Sequence, residues 1–308
     1  MSVRTPGPAL LCLALCATLA VPLFAQPARH ETRDNFFVAQ RRLIWQHFNG
    51  GRHFDCIAET RRLLAYQHLT PVDRAPYEYF IEVNYFLGGQ YRTVAAKAGS
   101  SDGRGSYSIA TSILASQALY RLGRQDAALG ELARWDYAGL TERDRREVFF
   151  RRSEILVRDY RYQQLQDEIA QARRHLPDSS SAPMSDAVAR HRDAGRKMPW
   201  LAAVMSAALP GSGQAYAGKY AAGLISLAAI AVTGYGAYHF HSRGEWNLAY
   251  TCGFFAALFY GGTVYGAYNA ALNANRTADD AFNQAFIKNH LPAYRPASFM
   301  ERPSGVRP

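Results

Sequence analysis

Lysine is scarce in this chain. Only Lys97, Lys197, Lys219 and Lys288 occur, so arginine supplies nearly all of the formal charge of +10. No basic run is interleaved with aromatics as in a nucleic-acid module, so nucleic acid is not an expected partner. Cysteine is equally sparse, at four residues. Cys12 and Cys16 lie in a leader-like N-terminus, which leaves Cys56 and Cys252 and excludes a disulfide framework. No paired spacing of the structural-zinc kind occurs around His47, His53 and Cys56, and no fourth ligand follows them. Charge is missing altogether from 221–238 and 248–272, where no Asp, Glu, Lys, Arg or His interrupts the apolar run. A proton- or ion-coupled pump keeps at least one such group in its path, so this absence argues against one.

What is present is unevenly spread. Hydrophobic residues make up 48% of the chain, concentrated near the N-terminus and between Met198 and Leu272. Residues 1–25, MSVRTPGPALLCLALCATLAVPLFA, read as a secretory signal peptide: Arg4 leads, 8–21 are apolar, and Pro22 and Ala25 close the segment. An uncleaved anchor is the alternative. Either way the segment that follows is expected to be exported.

Residues 30–176 carry a recurring turn. GRHFDCI at Gly51, GQYRTVA at Gly89, GRQDAAL at Gly123 and YRYQQLQ at Tyr160 are spaced 38, 34 and 37 residues apart, each after an amphipathic stretch. Helix, tight turn and second helix is the reading, with glycine supplying positive φ. Such units bury their faces only by stacking on one another. The third unit, LASQALYRLGRQDAALGEL, resembles a tetratricopeptide repeat through the run from Leu122-Gly123-Arg124 to Ala128. The resemblance covers about half of the chain in degenerate form; it implies a peptide- or protein-binding groove and no catalysis. Glu78 and Glu82 share a helix face, which a solvated surface explains better than a glycosidase pair. Cys56 matches the small packing position of Ala128.

Residues 177–197 begin with PDSSSAPMSD and end in a basic run at Arg190, Arg192, Arg196 and Lys197, and are expected to be a linker. A membrane module at 198–276 follows. It comprises a short apolar piece at 198–209, too short to span, and two transmembrane helices within 221–238 and 248–272. Between the first two lies ALPGSGQAYAGKY. A dinucleotide loop would need its third glycine earlier than Gly218, and a nucleophile elbow would need glycines two residues from Ser212 rather than beside it. A bend in an embedded segment fits: Pro210 removes a donor, and Ser212, Gln214 and Tyr216 can satisfy freed backbone groups. Lys219 then snorkels to the interface.

Pro210, Gly211, Ser212, Gly213, Gln214, Tyr216, Gly218 and Lys219 form P-G-S-G-Q-x-Y-x-G-K, which resembles the start of a short two-pass membrane module of uncharacterised bacterial proteins. GGTVYGAYNAA at 261–271 is similar to the end of that module. The resemblance implies an architecture and carries no reaction. Gly262 and Gly266 make a G-x-x-x-G pair, read as helix packing inside the hairpin ahead of dimerisation. Residues 277–291 form an amphipathic helix ended by Pro292, and 292–308 a flexible tail.

The expected architecture is therefore all-α: a tetratricopeptide-like helical-repeat solenoid followed by a transmembrane helical hairpin. The expected function is that of a non-enzymatic, membrane-anchored periplasmic repeat protein mediating protein-protein interaction in the bacterial cell envelope. Its location is the inner membrane, with the repeats in the periplasm. The alternative gives the working role to the membrane module, in a transport, insertion or lipid-handling complex. No catalytic residue, cofactor or metal is assigned. The expected partners are an envelope protein, membrane lipid and a second copy in a homo-oligomer. Export places the 190–197 basic run outside, against the positive-inside tendency, and long exported domains override that tendency.

Overall fold

Amphipathic periodicity with few strand-forming runs produces helices throughout. A computed structural model describes residues 27–66, 70–99 and 107–296, and holds thirteen α-helices and no strand among them. The signal peptide expected at 1–25 and most of the tail lie outside the described residues. The described chain forms two compact bodies, 27–136 with 294–296, and 137–293.

The first body contains α1 (Pro27–Asn49), α2 (His53–Tyr66), α3 (Pro71–Leu87), α4 (Tyr91–Ala95), α5 (Ser108–Arg121) and α6 (Gln125–Ala133). Neighbours pack in sequence, α1 on α2, α2 on α3 and α5 on α6, and α3 also meets α5. One core joins Ile44, Cys56, Leu63 and Phe80, and another joins Tyr79, Val83, Phe86, Val94, Leu114 and Ala118. Tyr79 donates to the Pro296 carbonyl at 2.9 Å, holding the returning chain against this core.

The second body begins with a 3-10 turn at Tyr137–Gly139. It continues through α7 (Glu142–Arg158), α8 (Tyr162–Ala172), α9 (Asp178–Asp193), α10 (Pro199–Ala208), α11 (Ser212–Tyr216), α12 (Tyr220–Ser242) and α13 (Trp246–His290). Arg145 binds the start of this body together by donating to the carbonyls of Tyr137, Leu140 and His175 at 2.9, 2.9 and 2.6 Å. Thr141 caps α7 by accepting from Asp144 N at 3.3 Å, as Thr70 caps α3 by accepting from Asp73 N at 3.3 Å.

The four recurring turns share one construction. Gly51, Gly89, Gly123 and Tyr160 all have positive φ, at 69°, 76°, 74° and 59°. In each, the turn residue donates to the carbonyl three residues back and the next residue to the carbonyl five residues back, as in Gly123 N to Tyr120 O and Arg124 N to Leu119 O. This is the Schellman closure, which satisfies carbonyls that the helix end leaves free. Five residues on, Cys56, Val94, Ala128 and Leu165 are all buried. A Cβ at Gly123 would meet nothing within 4 Å. Gly123→Ala is therefore expected to cost only the left-handed strain, about 1–2 kcal/mol, read as a small drop in the unfolding midpoint.

Three features depart from the sequence reading. The fourth helix pair, α7 with α8, belongs to the second body rather than to one array over 30–176. The stretch expected as a linker holds the sixteen-residue helix α9, with Met184 and Val188 buried. These side chains repeat at helical spacing against α8 and α13, and tertiary burial overrides the local preference of serine and proline. Finally, the second apolar run and the amphipathic segment are one continuous helix of 45 residues, α13, since neither proline nor glycine falls between Ala267 and His290. At about 1.5 Å per residue it is some 65 Å long, about twice a bilayer core.

Helices α12 and α13 are long and apolar enough to cross a membrane. Only 6% of the apolar window of α12 is buried within the protein. Leu224, Ile225, Val232, Phe254 and Tyr265 instead face outward.

Candidate functional site

The junction of α10, α11, α12 and α13 gathers the P-G-S-G-Q motif. Helix α10 ends where Leu209 turns extended, and Gly211, at φ +89°, reverses the chain into α11. Small residues permit the close crossings. A Cβ on Gly213 would collide with the Ala202 carbonyl oxygen and lie 2.7 Å from the Ala267 methyl. A Cβ on Gly223 would lie 2.5 Å from the Gly211 carbonyl oxygen. Ala202, Ala217, Ala267, Ala270 and Ala271 form the surrounding core, with Tyr216 against it.

The break frees backbone groups, and side chains take them up. Ser212 Oγ donates to the carbonyls of Met205 and Leu209, both at 2.7 Å, and Tyr260 donates to Ala207 O at 2.6 Å. Gly213 N donates to Ser206 Oγ at 3.0 Å, which donates to Gln214 Oε1 at 3.0 Å. Gln214 Nε2 donates to Thr263 O at 3.0 Å. A buried relay thus runs from the end of α10 through α11 to α13. In apolar surroundings each such group, left unpaired, costs several kcal/mol.

A second clasp closes the entry to α10. Asn275 accepts from Lys197 N at 2.9 Å and donates to Lys197 O at 2.8 Å. Tyr216 Oη accepts from Met198 N at 3.1 Å, and the Lys197 ammonium lies 4.8 Å from the Tyr216 ring centre. Gly218, at φ +85°, ends α11 by the same closure as the four turns, with Lys219 N donating to Gln214 O at 2.8 Å. Pro210 starts the reversal, and Lys219 opens α12. The relay contains no acid, base or free nucleophile: both serine hydroxyls donate to fixed acceptors. Its chemistry is that of a structural lock.

The structure thus brings together Gly211, Ser212, Gly213, Gln214 and Tyr216, and adds Ser206, Tyr260, Thr263 and Asn275, which sequence reasoning did not single out. A lone serine seven residues before Gly213, inside VMSAALPGSG, was the available signal for Ser206. Gly262 and Gly266 do not provide the close helix crossing assigned to them. A Cβ on Gly262 would meet nothing within 4 Å, and one on Gly266 would sit 3.5 Å from Gln214 Nε2. Close approach occurs instead at Gly213 and at the Gly211–Gly223 contact.

The portion of α13 beyond the module carries a second polar cluster. His191 Nε2 lies 2.8 Å from Asp279 Oδ1, Arg196 pairs with the same oxygen at 2.6 Å, and Tyr162 donates to Asn283 Oδ1 at 2.8 Å. Burial, with the Asp279 charge second, pushes the Tyr162 phenol well above its usual range. Arg151, 1% exposed, pairs with Glu147 at 3.1 Å and with Glu154, and donates to Pro292 O at 2.6 Å. These contacts fasten α8, α9 and α7 to the far end of α13.

The acidic and thiol residues of the first body are held apart. Glu78 pairs with Arg74 on the surface, whereas Glu82 is half-buried, 3.9 Å from Lys97. His47 faces Asp55 at 3.7 Å, His53 faces Asn84 at 3.1 Å, and Cys56 donates to Ile44 O at 3.3 Å. Burial pushes the Cys56 thiol up to about 11. Burial also raises the Glu82 carboxyl, against the lowering pull of Lys97. Because its folded-state value is raised, the favourable contribution of Glu82 is complete below the ordinary value of about 4.3 and is lost as pH rises through the raised value. Glu82→Gln is therefore expected to stabilise the chain at pH 7 and to make little difference below the ordinary range, measured by thermal unfolding at the two pH values.

No family model, curated protein or solved structure matches this chain.

Proposed function

We propose that the chain is a non-enzymatic, membrane-anchored helical-repeat protein that binds another protein of the bacterial envelope. The two apolar helices serve as the anchor in the inner membrane, and the helix pairs, tetratricopeptide-like units in this reading, lie in the periplasm. The observation that carries it is the repeated turn: four helix pairs closed by the same hydrogen bonds with the same buried position five residues on. Repeating units of this kind present extended surfaces suited to protein segments. The first body also leaves Phe54 and Leu87 exposed, at 57% and 42%, on adjoining helices. The Phe54 ring lies beside the turn that follows Leu87, 3.6 Å from where a Cβ on Gly88 would sit, and an apolar patch there favours a protein contact.

The test is a photo-cross-linking residue placed at Phe54 in intact cells. One envelope protein captured there, and lost when Leu87→Asp is added, is the expected result. Capture of nothing but the chain itself counts against the reading. A second reading, in which the membrane module does the work, is favoured by the groove between α12 and α13 described next.

A further inference from the structure

Beside the relay, α12 and α13 line an open groove of about 460 Å³, within the ~300–1,000 Å³ range of ligand pockets. Its walls differ along its length. Ala222, Ile225, Ala229 and Leu258 line an apolar stretch. Lys219, Asn269 and Asn273 line the opposite end, where α12 begins. From Asn273 to Leu258 the groove follows α13 for about 20 Å at 1.5 Å per residue. One bilayer leaflet has a hydrocarbon depth of about 15 Å. The groove thus starts at a polar, cationic interface and runs along the helices into the apolar layer.

We infer that this groove holds one anionic phospholipid, with an acyl chain along Ile225 and Ala229 and the phosphate at Lys219, Asn269 and Asn273. Three observations select that occupant. The Lys219 ammonium has no carboxylate partner among the described residues, whereas Arg196 is paired with Asp279. Gln214, 5% exposed, lines the groove and donates one amide hydrogen to Thr263 O; its second has no acceptor among the described residues. At Gly262, where an added Cβ would meet nothing within 4 Å, the groove stays open where a side chain would fill it. A second copy of the chain is the poorer occupant. Related by a two-fold axis, it would bring a second Lys219 towards the first, and like charges repel. An anionic headgroup meets the same end with opposite charge, as basic residues at a membrane surface do.

The inference rests on the membrane-anchored reading, and the test separates the two. The full chain is first floated with vesicles of phosphatidylcholine containing phosphatidylglycerol. It is then taken into detergent, stripped of lipid, and titrated with each of the two lipids under native mass spectrometry. The expected result is preferential retention of phosphatidylglycerol. Lys219→Gln lowers that preference by about fivefold, the effect of one lysine near an anionic surface, and Lys219→Arg restores it. Gly262→Leu, which has room to be accommodated, removes retention of both lipids. A chain that floats but holds the two lipids equally, or whose variants retain lipid unchanged, overturns the inference alone. Gly262→Leu that breaks a dimer and leaves lipid retention intact overturns it too. A chain that does not float overturns the inference and the anchored reading together.

Discussion

Gly213→Ala is expected to unseat the junction and cost far more stability than a methyl group added at an open glycine of the membrane module. The added carbon collides with the Ala202 carbonyl oxygen and crowds the Ala267 methyl, so neither neighbour is the free end of a side chain that can swing away. Helix α11 would have to move off both α10 and α13. That movement stretches the Gly213 N to Ser206 bond and the Gln214 bonds to Ser206 and Thr263. Overpacking against side chains costs about 1–3 kcal/mol, and collision with backbone plus loss of buried hydrogen bonds puts this change above that range. The measurement is thermal unfolding of the purified chain in detergent, with Gly253→Ala as control. Gly253 lies on α13 with nothing within 4 Å of its added Cβ, so the control should be neutral or mildly stabilising.

Arg151→Met is expected to cost about 3–5 kcal/mol, the usual penalty for removing one partner of a buried ion pair. The guanidinium is almost fully enclosed, between Glu147 at 3.1 Å and Glu154, with Pro292 O at 2.6 Å. Its removal strands a carboxylate that is largely shielded from water and leaves the Pro292 carbonyl short of a donor. The deficit should depend on pH. Burial already raises the Glu147 carboxyl, and Arg151 is the main influence lowering it. Without Arg151 the folded-state value rises further, so the favourable contribution of Glu147 is complete below its ordinary value and lost as pH rises. The loss in Arg151→Met should therefore be larger at pH 7 than near pH 5. Urea titration followed by helical circular dichroism at both pH values reads it.

The turns were the most legible part of the sequence. Positive φ demands a narrow set of residues, so Gly51, Gly89 and Gly123 announce themselves, and the repeated Arg or Gln after each fixes the register. Tyr160 was found through that register alone, since its own identity argues against a left-handed turn. Less legible was α9. Its serines and prolines read as a linker, and only the burial of Met184 and Val188 against other helices makes it a helix. The bend at Pro210 was readable because proline and two glycines break an apolar run. Ser212, Gln214 and Tyr216 were readable as groups that satisfy it; their distant partners were not. Ser206, Thr263 and Asn275 lie seven to 78 positions from their partners, and no local pattern links such distant residues. Gly262 shows the converse: a familiar small-residue spacing that meets an open groove rather than a helix.

The proposed function requires the hairpin to cross a membrane. Single cysteines at Arg158, on α7, and at Arg243, in the turn between α12 and α13, can be placed in a chain whose Cys12, Cys16, Cys56 and Cys252 are replaced. A membrane-impermeant thiol reagent is then applied to spheroplasts, before and after permeabilisation. A hairpin that crosses the membrane gives labelling at position 158 from outside and at position 243 only after permeabilisation. Labelling of both positions from the same side would contradict it.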